Sequence, residues 1–207
     1  MDMYLTEDEL PGARSLAELK AKADDCRRCE LYRHATQTVF GEGPSRAAIV
    51  LVGEQPGDKE DLAGRPFVGP AGMVLNDCLA KAKVDRDQCY VTNMVKHFKF
   101  LQRGKRRLHA KPDAREIRRC SWWLDNELRL IRPKIVVALG ATAATHLVGT
   151  SVRIIRDRGK LFERTELPPV LVTIHPSYIL RIRDRSDADA EKRAFVRDLA
   201  QIKALAS

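Results

Sequence analysis

Four short, nearly continuous runs of β-branched and other apolar residues constrain the fold of this 207-residue chain most strongly. Such runs, without polar alternation, are typical of strands buried on both faces, as in a parallel sheet. Segments with helical periodicity separate the runs, and this alternation predicts right-handed crossovers with helices on both faces. We therefore predict one domain over residues 1–207, an α/β/α three-layer sandwich with a four-stranded, mainly parallel central sheet. The predicted strands are 47–53, 88–95, 134–140 and 169–175, and the predicted helices are 69–84, 112–131, 142–148 and 187–205.

The charge balance indicates the class of partner. Lysine and arginine outnumber aspartate and glutamate by 37 to 28, which gives a formal net charge of +9. A basic domain of this kind suits polyanions, with nucleic acid as the first candidate and an anionic membrane surface as the alternative. No apolar run approaches the roughly 20 residues that span a bilayer, and residues 1–10 lack the features of a signal peptide. We therefore expect a protein of the bacterial cytosol without a membrane partner, and as a separate expectation we take it to be a monomer.

Polar segments follow each of the predicted strands. In open α/β sheets, ligands bind beyond the carboxyl ends of the strands. The segments at these ends are "GEQPG", "TN", "GATAA" and "HPS", beginning at residues 53, 92, 140 and 175. The sequence therefore predicts that the functional site is built from these four places.

The cysteine pattern allows a metal site. Cys26 and Cys29 form a C-x2-C pair in the N-terminal segment 1–45, a spacing at which two thiolates bind one metal centre. Cys120 lies near the inward stripe of a predicted helix. The spacing alone fits zinc as well as iron–sulfur, and it also permits an unligated pair. An odd number of cysteines, five, in a reducing compartment argues against a disulfide framework.

The run "RGKRRLHAKP" at residues 103–112 contains a histidine among five basic residues and no acid. One interpretation is a patch that faces nucleic acid, in which His109 is incidental. The other is that the basic side chains bind a phosphate backbone, while His109 reacts with a nucleotide that this backbone carries. The run alone leaves both open.

Taken in order, "GEQPGDKEDLAGRPFVGPAG", "YVTNMVKHFKF", "VVALGATAA" and "HPSYILR" resemble the iron–sulfur branch of the uracil-DNA glycosylase superfamily. The resemblance extends from Cys26 to Arg181. It implies a [4Fe–4S] cluster held by Cys26, Cys29 and Cys120, with His97 where conventional members have a cysteine; zinc is the less favoured alternative. The "GEQPG" turn and the insertion "GKRRLH" are similar to UdgX-type proteins, which excise uracil and stay covalently joined to the DNA.

The resemblance also implies roles for the strand-end residues. Phe67 is expected to stack on an extruded uracil, because a glycosylase acts on a base outside the helical stack. Asn93 and Gln55 are expected to contact the base, and His175 to donate a hydrogen bond to the departing uracilate. The expected DNA contacts are Lys105, Arg106, Arg107 and Arg181.

His109 and two acids complete the expected mechanism. Loss of the base leaves an oxocarbenium-like sugar, and a neutral imidazole at His109 would capture it better than water does. Glu54 is expected to accept the other ring proton, and Asp58 to order a water or stabilise the positive charge. The expected substrate is uracil-containing DNA, preferentially single-stranded. The alternatives are a turnover glycosylase in which His109 only contacts DNA, and a non-catalytic binding protein with a structural metal site.

Overall fold

The computed structural model describes residues 12–163 and 168–206. The first ten residues, on which the expectation about a signal peptide rests, lie outside this description. Within these two ranges, the strands are β1 (Ile49–Gly53), β2 (Cys89–Asn93), β3 (Phe100–Arg103), β4 (Arg106–His109), β5 (Ile135–Leu139), β6 (Leu161–Phe162) and β7 (Val170–Thr173). The α-helices there are α1 (Leu16–Asp24), α2 (Asp58–Ala63), α3 (Pro70–Lys81), α4 (Ala114–Ile131), α5 (Ala141–Leu147), α6 (Ile154–Asp157) and α7 (Arg185–Ala206).

The central sheet has five strands in the order β2-β1-β5-β7-β6. Four of them, β2, β1, β5 and β7, are mutually parallel and correspond to the four predicted strands. The prediction of four strands is wrong by one, because β6 pairs antiparallel with β7 at the sheet edge. A strand of two residues leaves too short a pattern for the sequence to reveal it. The predicted α/β class and mainly parallel sheet are confirmed.

Helices cover both faces of this sheet. Alternate residues of β1 point to opposite sides, with Val50 and Val52 in one apolar cluster and Leu51 in another. Residues of α1, α4 and α5 complete the first cluster, and residues of α3 and α7 complete the second. Burial on both sides explains why the strands read as continuous apolar runs. Among the helices of the described residues, none has the length and apolar content to cross a membrane.

The basic run folds into a β-hairpin that stands apart from the main sheet. Strands β3 and β4 pair antiparallel, with Phe100 opposite His109 and Leu101 opposite Leu108. Gly104 turns the chain with a φ of 58°, which glycine adopts without strain. The hairpin therefore places His109 at its base, where the chain returns to the sheet, and Lys105 at its tip.

Candidate active site

A cavity of about 800 Å³ opens at the carboxyl ends of the parallel strands. Its walls include Glu54 after β1, Asn93 at the end of β2, Thr142 after β5 and His175 after β7. Parallel strands end at the same edge of a sheet, so residues far apart in sequence meet there. The structure thus brings the four predicted strand-end segments together around one cavity, and His109 also lines it.

Phe67 forms a buried aromatic wall of this cavity. Its ring centroid lies 5.9 Å from that of His175, with a tilt of 34° between the rings. Its φ of 55° is rare for an aromatic residue, so the surrounding structure must hold it in place. A Cβ on Gly72 would lie 1.7 Å from the Phe67 carbonyl oxygen, and one on Gly53 would lie 2.7 Å from its ring. Both glycines are therefore needed for the ring to occupy this position.

Asn93 presents an unpaired acceptor. The residue is 2% exposed, and its Oδ1 atom has no hydrogen-bond partner among the described residues. Its backbone oxygen is fixed by the buried Lys96 ammonium, at 2.8 Å. An unpaired buried acceptor costs roughly 1–3 kcal/mol. A ligand that offers an N–H group to Oδ1 would remove this cost.

His175 is arranged as a neutral hydrogen-bond donor. Its Nδ1 accepts a hydrogen bond from the Ser177 backbone N–H at 3.2 Å and lies 2.8 Å from the Ser177 hydroxyl. Because Nδ1 accepts, the ring proton is on Nε2. Burial above all, and then the proximity of Arg181 and His109, lower the pKa of His175 to about 4. The imidazole is therefore neutral at physiological pH.

His109 meets two residues from the segment after β1. Its Nε2 lies 2.9 Å from the Gln55 amide nitrogen and 3.7 Å from Glu54 Oε1. An amide nitrogen only donates, so Nε2 accepts this hydrogen bond and the ring proton is on Nδ1. The other carboxylate oxygen of Glu54, Oε2, accepts a short hydrogen bond from the Thr142 hydroxyl. The lone pair of Nε2 and the Glu54 carboxylate thus lie side by side in the cavity.

Gln55 holds the base of the hairpin. Its Oε1 accepts a hydrogen bond from the Lys99 backbone N–H at 3.1 Å, and its Nε2 donates to the carbonyls of Lys99 and Ala110. Both ends of the amide therefore already have partners. The expected contact of Gln55 with a base stays a prediction, while in this structure the side chain holds His109.

The basic residues of the hairpin divide into two groups. Lys105 and Arg106 are exposed near the tip. Arg107 faces inward and donates hydrogen bonds to Asp58 at 2.7 Å and to Asp61 at 2.6 Å. The expectation that Arg107 contacts phosphate stays a prediction, and in this structure two carboxylates bind its guanidinium. Asp58 still lines the cavity, but this ion pair neutralises it, which leaves Glu54 as the less compensated acid.

Two cations lie at the rim of the cavity. Arg181 donates a hydrogen bond to the Ser177 hydroxyl at 3.0 Å, and this hydroxyl lies 2.8 Å from His175 Nδ1. Lys59 is exposed and also lines the cavity.

The three predicted cysteine ligands lie near one another between the N-terminal segment and α4. Burial above all raises the pKa of Cys120 to about 12, and the nearby thiols of Cys26 and Cys29 contribute to this rise. Arg28 donates to the Arg119 carbonyl at 2.9 Å, so the C-x2-C segment is fastened to α4. The Lys96 backbone N–H donates to Cys120 Sγ at 3.1 Å. Amide donors to sulfur are typical of iron–sulfur sites.

His97 is buried and one residue beyond Lys96, with its Nε2 3.0 Å from the Thr38 hydroxyl. Within residues 12–163 and 168–206, no three histidines, cysteines or acids are grouped closely enough to hold a metal ion. Three thiols and one imidazole suit zinc and an iron–sulfur cluster alike, so the chemistry of these donors fits either group.

The model of the uracil DNA glycosylase superfamily matches residues 40–200 of the chain. The chain belongs to this superfamily. The match includes all the residues of the cavity and the whole hairpin, while the C-x2-C pair precedes it.

Several characterised superfamily members are similar over most of the chain. The type-4 uracil-DNA glycosylase of Thermotoga maritima is 38% identical over 159 residues, which cover 76% of this chain and 79% of that protein. The type-4 enzyme of Archaeoglobus fulgidus is 33% identical over 188 residues, covering 86% and 91%. That of Sulfurisphaera tokodaii is 32% identical over 197 residues, covering 90% and 85%.

Sequence reasoning missed two hydroxyl groups of this superfamily site. Thr142 and Ser177 both lie in the strand-end segments, but neither received a role. A hydroxyl at a strand end beside an acid or a histidine is a usable signal. What the sequence lacks is the contact itself, because Thr142 and Glu54 are 88 positions apart.

Proposed function

We propose that this protein excises uracil from DNA and then remains covalently joined to the deoxyribose through His109. The observation that carries the first part is the unpaired Asn93 Oδ1 in a cavity that the Phe67 ring and the neutral His175 also line. Uracil has a flat ring, an N3–H donor and carbonyl acceptors. Cytosine has an unprotonated N3, which would face Oδ1 acceptor to acceptor. The names of the type-4 relatives support the same reaction.

Excision breaks the bond between C1′ and N1 of the extruded nucleotide. The bonding electrons move to N1, so the base leaves as uracilate and the sugar becomes an oxocarbenium-like cation. The Nε2–H of His175 donates to the uracil oxygen where negative charge develops, as in an oxyanion hole. Glu54 supplies a negative charge near the cation, so the two sides of the breaking bond are stabilised by different residues.

Capture follows when the His109 Nε2 lone pair leaves its hydrogen bond with Gln55 and forms a bond to C1′. The Nδ1 proton then passes to solvent, to which the side chain is 52% exposed. The product is a neutral N-alkyl imidazole, whose departure would expel an imidazolate, a poor leaving group. Since Glu54 lies beside Nε2, the expectation that it takes the other ring proton is revised. Its carboxylate stabilises the sugar cation before His109 attacks.

A turnover glycosylase is the second candidate. It is favoured by the similarity to type-4 enzymes, whose names do not mention a covalent complex. In that case water attacks C1′ and His109 serves only to contact DNA. The position of the Nε2 lone pair beside Glu54 supports the covalent alternative.

The proposed cofactor is a [4Fe–4S] cluster held by Cys26, Cys29, Cys120 and His97. It would join the N-terminal segment to α4 and to the chain after β2, and would supply structural cross-linking rather than chemistry at the sugar. Among the described residues, the Thr38 hydroxyl engages His97 at Nε2, which leaves Nδ1 as the ring nitrogen that would ligate an iron.

A single experiment separates these functions. The purified protein is incubated with a single-stranded oligonucleotide that contains one uracil, and free uracil and denaturing-gel mobility are both measured. We expect one uracil released per protein and a shifted band that resists detergent. Free uracil in excess of protein, without a shifted band, would establish turnover. The absence of uracil release would leave only a binding protein. A cytosine-containing oligonucleotide is the control.

A further inference from the structure

Thr142 contacts Glu54 in the cavity, and none of the roles described above explains this contact. It is the second residue of α5 and is 8% exposed, and its hydroxyl donates a short hydrogen bond to Oε2 of Glu54. The turn before α5 fixes its place, because Gly140 has a φ of 92° and a Cβ there would lie 2.9 Å from the His175 Cβ. The same turn thus positions Thr142 and contacts the uracilate donor.

The hydroxyl controls the direction of the Glu54 carboxylate. With Oε2 held by Thr142, the other oxygen, Oε1, lies 3.7 Å from the His109 Nε2. In the part of the chain that the structure describes, no other side chain donates to this carboxylate within hydrogen-bond distance. Removal of the hydroxyl would therefore free the side chain to rotate away from the cavity.

We infer that Thr142 is a positioning residue, which aims the Glu54 carboxylate at the sugar cation formed during excision. This inference rests on the proposed function, in which Glu54 stabilises charge at C1′. A hydrogen bond made before the reaction removes the need to reorient the carboxylate as the charge develops. Thr142 should consequently affect the rate of base release and leave DNA affinity and capture by His109 unchanged.

The test compares Thr142→Val, which keeps the shape and removes the hydroxyl, with Thr142→Ser, which keeps the hydroxyl. Thr145→Val is the matched control, because Thr145 lies on the same helix and is exposed. We expect Thr142→Val to slow single-turnover uracil release by about tenfold, the size expected for a hydrogen bond to a charged group. Thr142→Ser should stay within about threefold of the parent. Crosslinks formed per uracil released and DNA affinity should not change.

A double-mutant cycle separates positioning from a general structural effect. Glu54→Gln removes the charge that Thr142 is inferred to aim. In the Glu54→Gln background, Thr142→Val should slow uracil release by less than about twofold. A purely structural role would slow it by about tenfold again. Equal losses in both backgrounds, or equal rates for Thr142→Val and the parent, would overturn the inference. If the parent itself releases no uracil, the proposed function fails instead.

Discussion

His109 and His175 lie in the same cavity but differ in the nitrogen that carries the proton. His175 offers an N–H at Nε2, whereas His109 offers a lone pair at Nε2. Replacement of His109 by Ala or Ser should therefore preserve uracil release and abolish the permanent complex, since water can enter the vacated space. Replacement of His175 by Ala should slow release itself, by roughly 10²–10³-fold. Both quantities are measured on one oligonucleotide, and a crosslink formed by His109→Ala would identify another nucleophile.

The depressed pKa of His175 predicts the pH dependence of excision. Burial first, and then Arg181 and His109, lower this pKa to about 4. Between about pH 5 and pH 8 the ring stays neutral, so single-turnover uracil release should be flat across this range if His175 sets the profile. Below this pKa, a proton on Nδ1 would face the Ser177 N–H and break the contact. A fall in release with a midpoint near 6.5 would show that His175 titrates as an ordinary histidine.

The depressed pKa also affects stability. The unfolded chain binds a proton at His175 near pH 6.5, whereas the folded chain does so only near pH 4. The free energy of unfolding therefore decreases as the pH falls through this window. Initial rates must be measured within the pH range where unfolding has not begun.

At the scale of elements, the β3–β4 hairpin combines a fixed inner face with an exposed tip. Arg107 anchors the inner face to α2 through Asp58 and Asp61, and it lies 5.2 Å from the Phe100 ring centroid. Arg106 is exposed. Replacement of Arg106 and replacement of Arg107 should therefore have different effects on DNA binding and on crosslink formation.

Arg106→Ala should weaken DNA binding and reduce its salt dependence by about one phosphate contact, without changing crosslinks per uracil released. Arg107→Ala should instead displace His109, so the number of crosslinks per uracil released should fall more than the affinity for DNA does. The measurements are binding titrations at several salt concentrations and a crosslink assay at saturating protein. Equal effects of both variants would mean that Arg107 also contacts phosphate.

The packing of the C-x2-C segment against α4 leads to a prediction about metal content. Cys120 is 3% exposed and lies close to Cys26 and Cys29. Anaerobically purified protein should be brown and contain iron and inorganic sulfide, and Cys120→Ser should lose both along with thermal stability. Cys78→Ser is the control, because this buried thiol lies in the other apolar cluster. Stoichiometric zinc without sulfide in the parent would contradict the cluster.

At the scale of the whole molecule, the features that the sequence predicted are those governed by local pattern. The four apolar runs gave the parallel strands, because burial on both faces leaves a continuous run, and the strand-end rule placed Glu54, Asn93 and His175 around one cavity. The direction of a side chain depends on partners distant in sequence. This is why the sequence predicts ligand contacts for Gln55 and Arg107 without revealing the partners that each has within the protein.

The net charge predicts that the binding of the whole molecule to DNA depends on the salt concentration. With a formal charge of +9, and with Lys105 and Arg106 exposed near the tip of the hairpin, binding before reaction should involve several phosphate contacts. Each contact releases counterions, so log affinity should fall linearly with log salt, with a slope of about −0.7 per phosphate on single-stranded DNA. Affinity is measured with uracil-free DNA, on which no reaction occurs.

After reaction with uracil DNA, a covalent bond has no such dependence, and the complex should survive strong salt and detergent. His109→Ala provides the matched control, because it should bind and release uracil with the parent's salt dependence but dissociate afterwards. If the parent's complex also dissociates in strong salt, then its persistence is electrostatic. Water, rather than His109, would then be the nucleophile, and the cavity would belong to a turnover enzyme.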